Sequence, residues 1–230
     1  MNDRQIVLLF IKAPMQGRVK SRLADTIGEE AALDLYRRFI LDTIDMLERT
    51  GCEFRIFCHP PEAVADVSHW LRAGSPVMPQ EGDDLGARME NAFRRVFSEG
   101  WSRAVLLGSD IPDLPESVIP EAFTLIMKHK VVLGPAADGG YYLIGFDREA
   151  FLPAPFNGMS WSTPDVLIRT RDVLQAAGLR VPLLREWRDV DSFDDLRALA
   201  ARSGHSPFRS SRTMTYLAQN RSLLARGRSH

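Results

Sequence analysis

Short apolar runs rich in branched residues alternate along this chain with longer stretches of helical period, and that alternation restricts the fold more than any other feature. Residues 6–11, 54–58, 104–107 and 131–133 are such runs, bounded mostly by Gly, Pro or charged side chains. So few residues of near-continuous apolarity mark strands buried on both faces. Residues 29–48, 62–73, 85–98 and 116–128 lie between them and repeat their apolar positions with the helical period. Strand and helix in turn predict an α/β fold: a mostly parallel sheet with helices on both faces, in three α/β/α layers. Past Gly134 the pattern changes, because residues 141–146 follow a Gly-Gly pair too closely for another crossover. They are expected as an adjacent strand, which makes the sheet mixed. A helix over 164–177, a strand near 179–184 and a helix over 192–201 complete one domain, residues 1–201.

From Arg202 onward the composition shifts to Ser, Arg and scattered apolar residues, with six arginines and no acid. Residues 202–230 therefore read as a basic tail with one helix over 214–225. Such a tail is either solvated, or an arm that meets an anionic partner or, in a homo-oligomer, a second subunit.

A chain of 230 residues that is 45% hydrophobic can bury one substantial core. Its 30 acidic and 29 basic side chains nearly cancel, so charge gives it no general grip on nucleic acid, and small-molecule substrates fit better. Cys52 and Cys58 match neither a disulfide framework nor a zinc site, which points to a reducing compartment. The first apolar run is too short for a membrane span and has no signal-peptide cleavage site after it, so a cytoplasmic protein is expected.

The first strand runs straight into Lys12-Ala13-Pro14-Met15-Gln16-Gly17-Arg18-Val19-Lys20-Ser21-Arg22-Leu23, which sets four cations around a Pro and a Gly at a strand's carboxyl end. Open α/β sheets bind ligands there. Backbone N–H groups freed by a turn at Gly17 suit phosphate oxygens, Lys20 supplies a point charge and Arg22 a two-pronged fork. Neither the Walker pattern nor the three-glycine dinucleotide fingerprint is present. The plainer alternative is a solvated basic turn.

Further along, Gln80-Glu81-Gly82-Asp83-Asp84-Leu85-Gly86-Ala87-Arg88 is a polar loop entering a helix. Asp84 can cap that helix, or Gln80, Gly82, Gly86 and Arg88 can approach a base or ribose. In Leu107-Gly108-Ser109-Asp110-Ile111-Pro112-Asp113, an apolar strand carries Asp110 to its carboxyl end, where a hard oxygen ligand suits Mg²⁺ or Mn²⁺ shared with diphosphate. Asp113 reads as the cap of the next helix.

Gly134-Pro135-Ala136-Ala137-Asp138-Gly139-Gly140-Tyr141-Tyr142 contains the Asp-Gly hairpin signal, but its glycines exceed what one turn needs. They leave room for a substrate near Gly139 and Gly140, with Asp138 accepting from a hydroxyl or orienting an acceptor and Tyr141 or Tyr142 stacking. In Asp189-Val190-Asp191-Ser192-Phe193-Asp194-Asp195, the last two acids complement a helix dipole that Ser192 or Asp191 caps. If the last strand lies beside the fourth, Asp191 is the residue chosen to complete a metal site with Asp110.

Taken in order, the runs around Lys20, Asp110, Asp138 and Asp191 resemble GT-A-like proteins described as glycosyltransferases associated with radical-SAM genes. These are relatives of the nucleotide-diphospho-sugar transferase and nucleotidyltransferase superfamily. The resemblance extends from Ile6 to about Leu199. It implies a GT-A-like sandwich of about seven strands, a nucleotide held by the first loop and residues 80–88, and a divalent cation at Asp110. The chain is also similar to guanylyltransferases acting on phospholactate and molybdopterin. It departs from the usual glycosyltransferase pattern because Ser109 precedes Asp110 where an Asp-x-Asp motif would place two carboxylates around one residue.

Three functions follow. A metal-dependent glycosyltransferase takes an NDP-sugar and a small-molecule acceptor; Lys20 and Arg22 hold the phosphates, Asp110 the metal, and Asp138 deprotonates the acceptor. A nucleotidyltransferase moves NMP from an NTP to a phosphorylated small molecule over the same residues. A nucleotide-binding module performs no turnover.

Overall fold

The computed structural model describes residues 4–71 and 76–225. Six strands form one sheet: β1 (Gln5–Lys12), β2 (Phe54–His59), β3 (Val77–Pro79), β4 (Arg103–Gly108), β5 (Val131–Pro135) and β6 (Tyr141–Asp147). Their order is β3-β2-β1-β4-β6-β5. The first four are parallel, and β6 runs antiparallel to both neighbours, β4 and β5. The mostly parallel mixed sheet is thus the one expected, and its reversed strand is the run that follows the Gly-Gly pair.

Alternation along β1 shows why the sheet needs cover on both sides. Val7, Leu9 and Ile11 enter one core cluster while Ile6, Leu8 and Phe10 enter the other. The first cluster is closed by α1 (Ser21–Ile27), α2 (Glu29–Thr50), α3 (Val64–Leu71), α5 (Val118–His129) and α7 (Phe193–Ser203). The second is closed by α4 (Leu85–Ser98) and α6 (Val166–Ala176), around Phe93, Phe97, Phe146 and Phe156. Helix α2 buries Ala32, Leu35, Tyr36, Phe39, Ile40, Thr43 and Leu47, a stripe at three- and four-residue spacing that lays it along the sheet.

Some expected elements differ. The helix expected over 62–73 begins as a 3₁₀ turn at Pro61–Ala63 before α3, and its last two residues lie outside the described residues. The strand near 179–184 is reduced to two isolated bridges beside β5, Leu133 with Leu183 and Ala136 with Trp187. Pro182 has no N–H for a continuous ladder, although its carbonyl accepts from Leu133 N at 3.2 Å. The helix expected over 214–225 is two, α8 (Arg212–Gln219) and α9 (Ser222–Ala225), separated at Asn220 and Arg221.

Helix α8 packs on α2, and α9 adds Leu223 to the first core cluster. The buried Asp42 carboxylate accepts from Arg212 N and Thr213 N, both at 2.9 Å, and Leu217 joins the same cluster. Among the described residues no helix is long and apolar enough to cross a membrane.

Candidate functional site

β1 delivers its loop to the carboxyl edge of the sheet, where Ala13 N still bonds His59 O at 2.7 Å before the chain turns. Val19 is buried under the loop and draws the chain back toward the core. Lys20, at the N-cap of α1, adopts the left-handed conformation with φ 52° and ψ 43°, which a side chain with a Cβ rarely takes. Such backbone strain concentrates at functional sites and persists only where surrounding contacts enforce it. Here the contacts are electrostatic. Lys20 Nζ lies 2.5 Å from Asp110 Oδ1 and 2.6 Å from Asp191 Oδ1, with its side chain only 4% exposed. It also sits 5.8 Å from the ring centre of Tyr36 and 5.9 Å from that of Phe39.

The two acids arrive by separate routes. Asp110 follows the end of β4, as its place in the sequence predicts. Asp191 does not come from a strand beside β4, since β6 occupies that position. Instead, Val190 N donates to Asp110 O at 2.9 Å, which fixes the 188–191 segment across the end of β4. The capping box of α7 then holds the next residue, Ser192, through Asp195. Arg22, in the first turn of α1, donates to the other Asp191 oxygen at 2.8 Å. Asp110 remains 50% exposed and Asp191 30%, so both carboxylates face the crevice while the lysine between them does not.

Burial alone would lower the Lys20 pKa, but Asp110 and Asp191 outweigh it and hold it above the ordinary value. Burial likewise opposes ionisation of Asp191, yet Lys20 and Arg22 keep its pKa below the usual range. Asp189 moves the other way: burial first, then the charges of Asp191 and Asp138, push it well above an ordinary carboxylate. Opposite shifts in two acids two residues apart are the kind of perturbation that marks a candidate functional crevice.

Of the other residues expected at the site, Arg18 is exposed on the loop, Gly17 turns with φ 70° beside the Glu29 carboxylate, and Ala13 is buried and Pro14 half-buried at the loop's start. Gln80 is buried, and its amide nitrogen donates to Ile11 O at 3.0 Å and Phe57 O at 2.8 Å, tying β1 to β2. Arg88 Nη1 lies 3.1 Å from the His59 ring nitrogen Nδ1. Asp84 caps α4 by accepting from Ala87 N, and Gly82 abuts that same turn. A Cβ on Gly86 would stand 2.2 Å from Phe156 O, and one on Gly139 2.1 Å from Pro164 O; the close approaches at these glycines are to the chain's own 156–164 loop. Asp138 closes its turn by accepting from Gly140 N at 2.9 Å, and the half-buried Tyr141 lies edge-on to Trp161. Asp113 does not cap α5 but accepts from Arg202 and from the Trp187 indole.

Sequence reasoning missed Tyr36 and the loop through Trp161. The Tyr36 hydroxyl accepts from Lys12 N at 2.9 Å and bonds Ser109 Oγ at 3.1 Å, joining the ends of β1 and β4 beneath Lys20. Nothing separates Tyr36 from the rest of the buried stripe of α2 in sequence. Asp189 was visible as half of the Asp189/Asp191 pair, but its perturbation comes first from burial, which only the fold shows, and then from Asp191 and Asp138.

Among the described residues, no three His, Cys, Asp or Glu side chains are grouped to hold a metal. Asp110 and Asp191 do converge on one cation, and two carboxylates completed by substrate phosphates are a sufficient hard-oxygen set for Mg²⁺ or Mn²⁺. The donor set fits.

Residues 43–163 match the model of a family of uncharacterized proteins conserved in bacteria, DUF2064. A crystal structure from Desulfovibrio desulfuricans G20, provisionally assigned as a nucleotide-diphospho-sugar transferase, is 37% identical over 96% of each chain with a TM-score of 0.93. CMP:2-keto-3-deoxy-manno-octonic acid synthetase complexed with CTP is 12% identical, covers 87% of this chain and 99% of its own, and has a TM-score of 0.55. The manganese complex of Rv0371C from Mycobacterium tuberculosis H37Rv is 18% identical, covers 86% and 98%, and has a TM-score of 0.53. Comparison with curated protein sequences gives no match. The fold is that of the nucleotide-diphospho-sugar transferases, and this chain belongs to the DUF2064 family.

Proposed function

We propose that this chain is a transferase that uses an NDP-sugar donor, with the donor's diphosphate over Lys20, Arg22, Asp110 and Asp191. The buried clamp carries the reading: a lysine in strained backbone, held between two carboxylates that come from far-apart segments at the ligand-binding edge of the sheet. A cation fixed before the ligand arrives stabilises developing negative charge without reorganising. The provisional assignment of the Desulfovibrio relative supports the donor class. Arg22, in the first turn of α1, and the exposed Arg18, on the loop before it, are placed to fork a departing diphosphate. Asp138 keeps one carboxylate oxygen clear of its own turn and is assigned the acceptor's hydroxyl proton. Asp110 and Asp191 would hold Mg²⁺ or Mn²⁺, which supplies positive charge against the leaving diphosphate; the manganese complex of the Mycobacterium tuberculosis protein supports this choice.

One observation favours nucleotidyl transfer as a second reading. Gly108 and Pro112 stand two residues either side of Asp110, and Ser109 is buried against Tyr36, so the end of β4 offers the crevice one carboxylate instead of an Asp-x-Asp pair. Thermal stabilisation by NTPs, NDPs and NDP-sugars, with and without Mn²⁺, followed by chromatography of products, separates the readings. Metal-dependent stabilisation by an NDP-sugar with release of NDP supports the first. Stabilisation by an NTP with release of pyrophosphate supports the second. Stabilisation without turnover in the presence of acceptors leaves a binding module, and no shift with any nucleotide refutes the site.

A further inference from the structure

A cleft of about 300 Å³ opens on the far side of the first loop, between the ends of β1 and β2, and lies in the size range of small-ligand sites. Ala13, Pro14 and Met15 form one wall, and α3 forms the other through Trp70. Met15 is a large apolar side chain left exposed, and Trp70 packs only partly against the core. Three charged residues line the same cleft: Glu62, Asp66 and Arg37. Neither acid is in a hydrogen bond or ion pair among the described residues, and both are exposed. Arg37 has a buried Nε without a partner and only a 3.9 Å contact with Asp34. It follows Tyr36 on α2, so adjacent residues of one helix serve the Lys20 clamp and this cleft.

We propose that this cleft takes the base of the bound nucleotide and selects guanine. The proposal rests on the diphosphate lying at Lys20, which the same loop carries. The Gln80 amide, the other candidate for reading a base, already donates to Ile11 and Phe57 carbonyls. An indole and a thioether suit a flat ring, since any base stacks on an aromatic face. Selection lies with the charges. A carboxylate only accepts and a guanidinium only donates. Guanine presents two adjacent donors, N1–H and N2–H, on one edge and two acceptors, O6 and N7, on another. Adenine, cytosine and uracil each lack the adjacent donor pair, so none satisfies a carboxylate with two hydrogen bonds.

Calorimetric titration with GDP, IDP, ADP, CDP, UDP and pyrophosphate, all with Mg²⁺, tests this. GDP is expected to bind about tenfold to hundredfold more tightly than ADP, CDP or UDP, the range one good bidentate contact gives. IDP, which lacks the N2 amine, should fall between. The E62Q/D66N double variant changes two exposed side chains and is expected to lose the preference for GDP while binding pyrophosphate as the wild type does. Equal binding of all five nucleotides, preference for another base, or an unchanged GDP preference in the variant overturns the assignment. If pyrophosphate binds normally and base preference is absent, only the cleft is refuted. If pyrophosphate does not bind either, the diphosphate site at Lys20 falls with it.

Discussion

Replacing Lys20 by Met tests the clamp by physical means alone, without knowledge of substrate. The substitution keeps most of the stem and removes the ammonium that lies within 2.6 Å of two carboxylates. Breaking a fully buried pair costs about 3–5 kcal/mol, because the surviving charge is left without compensation. Here the cost is smaller: Asp110 is half exposed and can hydrate, while Asp191 keeps Arg22 at 2.8 Å. Removing the ammonium also ends its own burial cost. The expected loss at neutral pH is therefore about 2 kcal/mol, or about 4–8 °C in Tm for a chain of this size.

The pH dependence gives the refutation. In the wild type the Asp191 pKa is held below its unfolded value, so Asp191 contributes stability that is present above pH ~4 and lost as pH falls through its folded pKa. In Lys20→Met that contribution goes, and with burial unopposed the carboxylate pKa rises. The stability gap between wild type and variant should be widest near pH 7 and close below pH ~4. Urea unfolding at several pH values measures it. A gap of the same size at pH 4 and pH 7 would mean that the variant acts through packing or backbone, and the electrostatic account of Lys20 would be wrong.

Three other outcomes are expected. Asp42→Ala removes the acceptor of Arg212 N and Thr213 N and should cost about 2 kcal/mol, with hydrogen exchange rising across 212–225 before it rises in the sheet. Gly139→Ala places a Cβ 2.1 Å from Pro164 O and should cost about 3 kcal/mol or more, whereas Gly178→Ala, also at positive φ but with nothing within 4 Å, should cost only about 1 kcal/mol; equal losses in thermal melts would sink the steric argument. Burial and then the Arg88 charge hold the His59 pKa below its ordinary value, so the unfolded chain binds the proton first and His59 subtracts stability as pH falls through ~6.5. NMR titration should show the His59 ring titrating below that value in the wild type and moving toward it in Arg88→Leu.

Strands β1, β2 and β4 were legible because each is a short, nearly continuous apolar run, and the helices between them because each carries a one-sided stripe; β3, a three-residue edge strand that is only half-buried, carries no such run and was not expected. The β6 reversal was legible for a topological reason: too few residues separate β5 from β6 for a crossover. The edge segment after α6 was not. Residues 179–184 have a strand's composition, but Pro182 limits their pairing to isolated bridges, and only the position of β5 shows which bridges form. The break between α8 and α9 was likewise hidden, because Asn220 and Arg221 carry no breaker as strong as Gly or Pro.

The site divides along the same line. Strand ends announce themselves, so Lys20 and Asp110 could be placed from the apolar runs that precede them. What the sequence could not order was which residues hold the backbone and which face the ligand. Gln80, Gly86 and Gly139 look like ligand-facing residues because amides and glycines permit close approach, yet their contacts are to Ile11, Phe57, Phe156 and Pro164 of the same chain. Tyr36 looks like core and lies directly under the clamp. The distinction is set by long-range pairings such as Val190 N with Asp110 O, which brings Asp110 and Asp191, from separate segments of the chain, to one lysine. Lys20 is where that global arrangement overrides a local preference: its backbone takes a conformation that few residues other than glycine accept, and the two carboxylates from elsewhere in the chain enforce it. Lys20→Gly should therefore be more stable than Lys20→Ala by about 1 kcal/mol, because both lose the charge and the buried stem and only glycine takes the left-handed conformation freely. A glycine variant no more stable than the alanine variant would show that the Lys20 backbone is not strained.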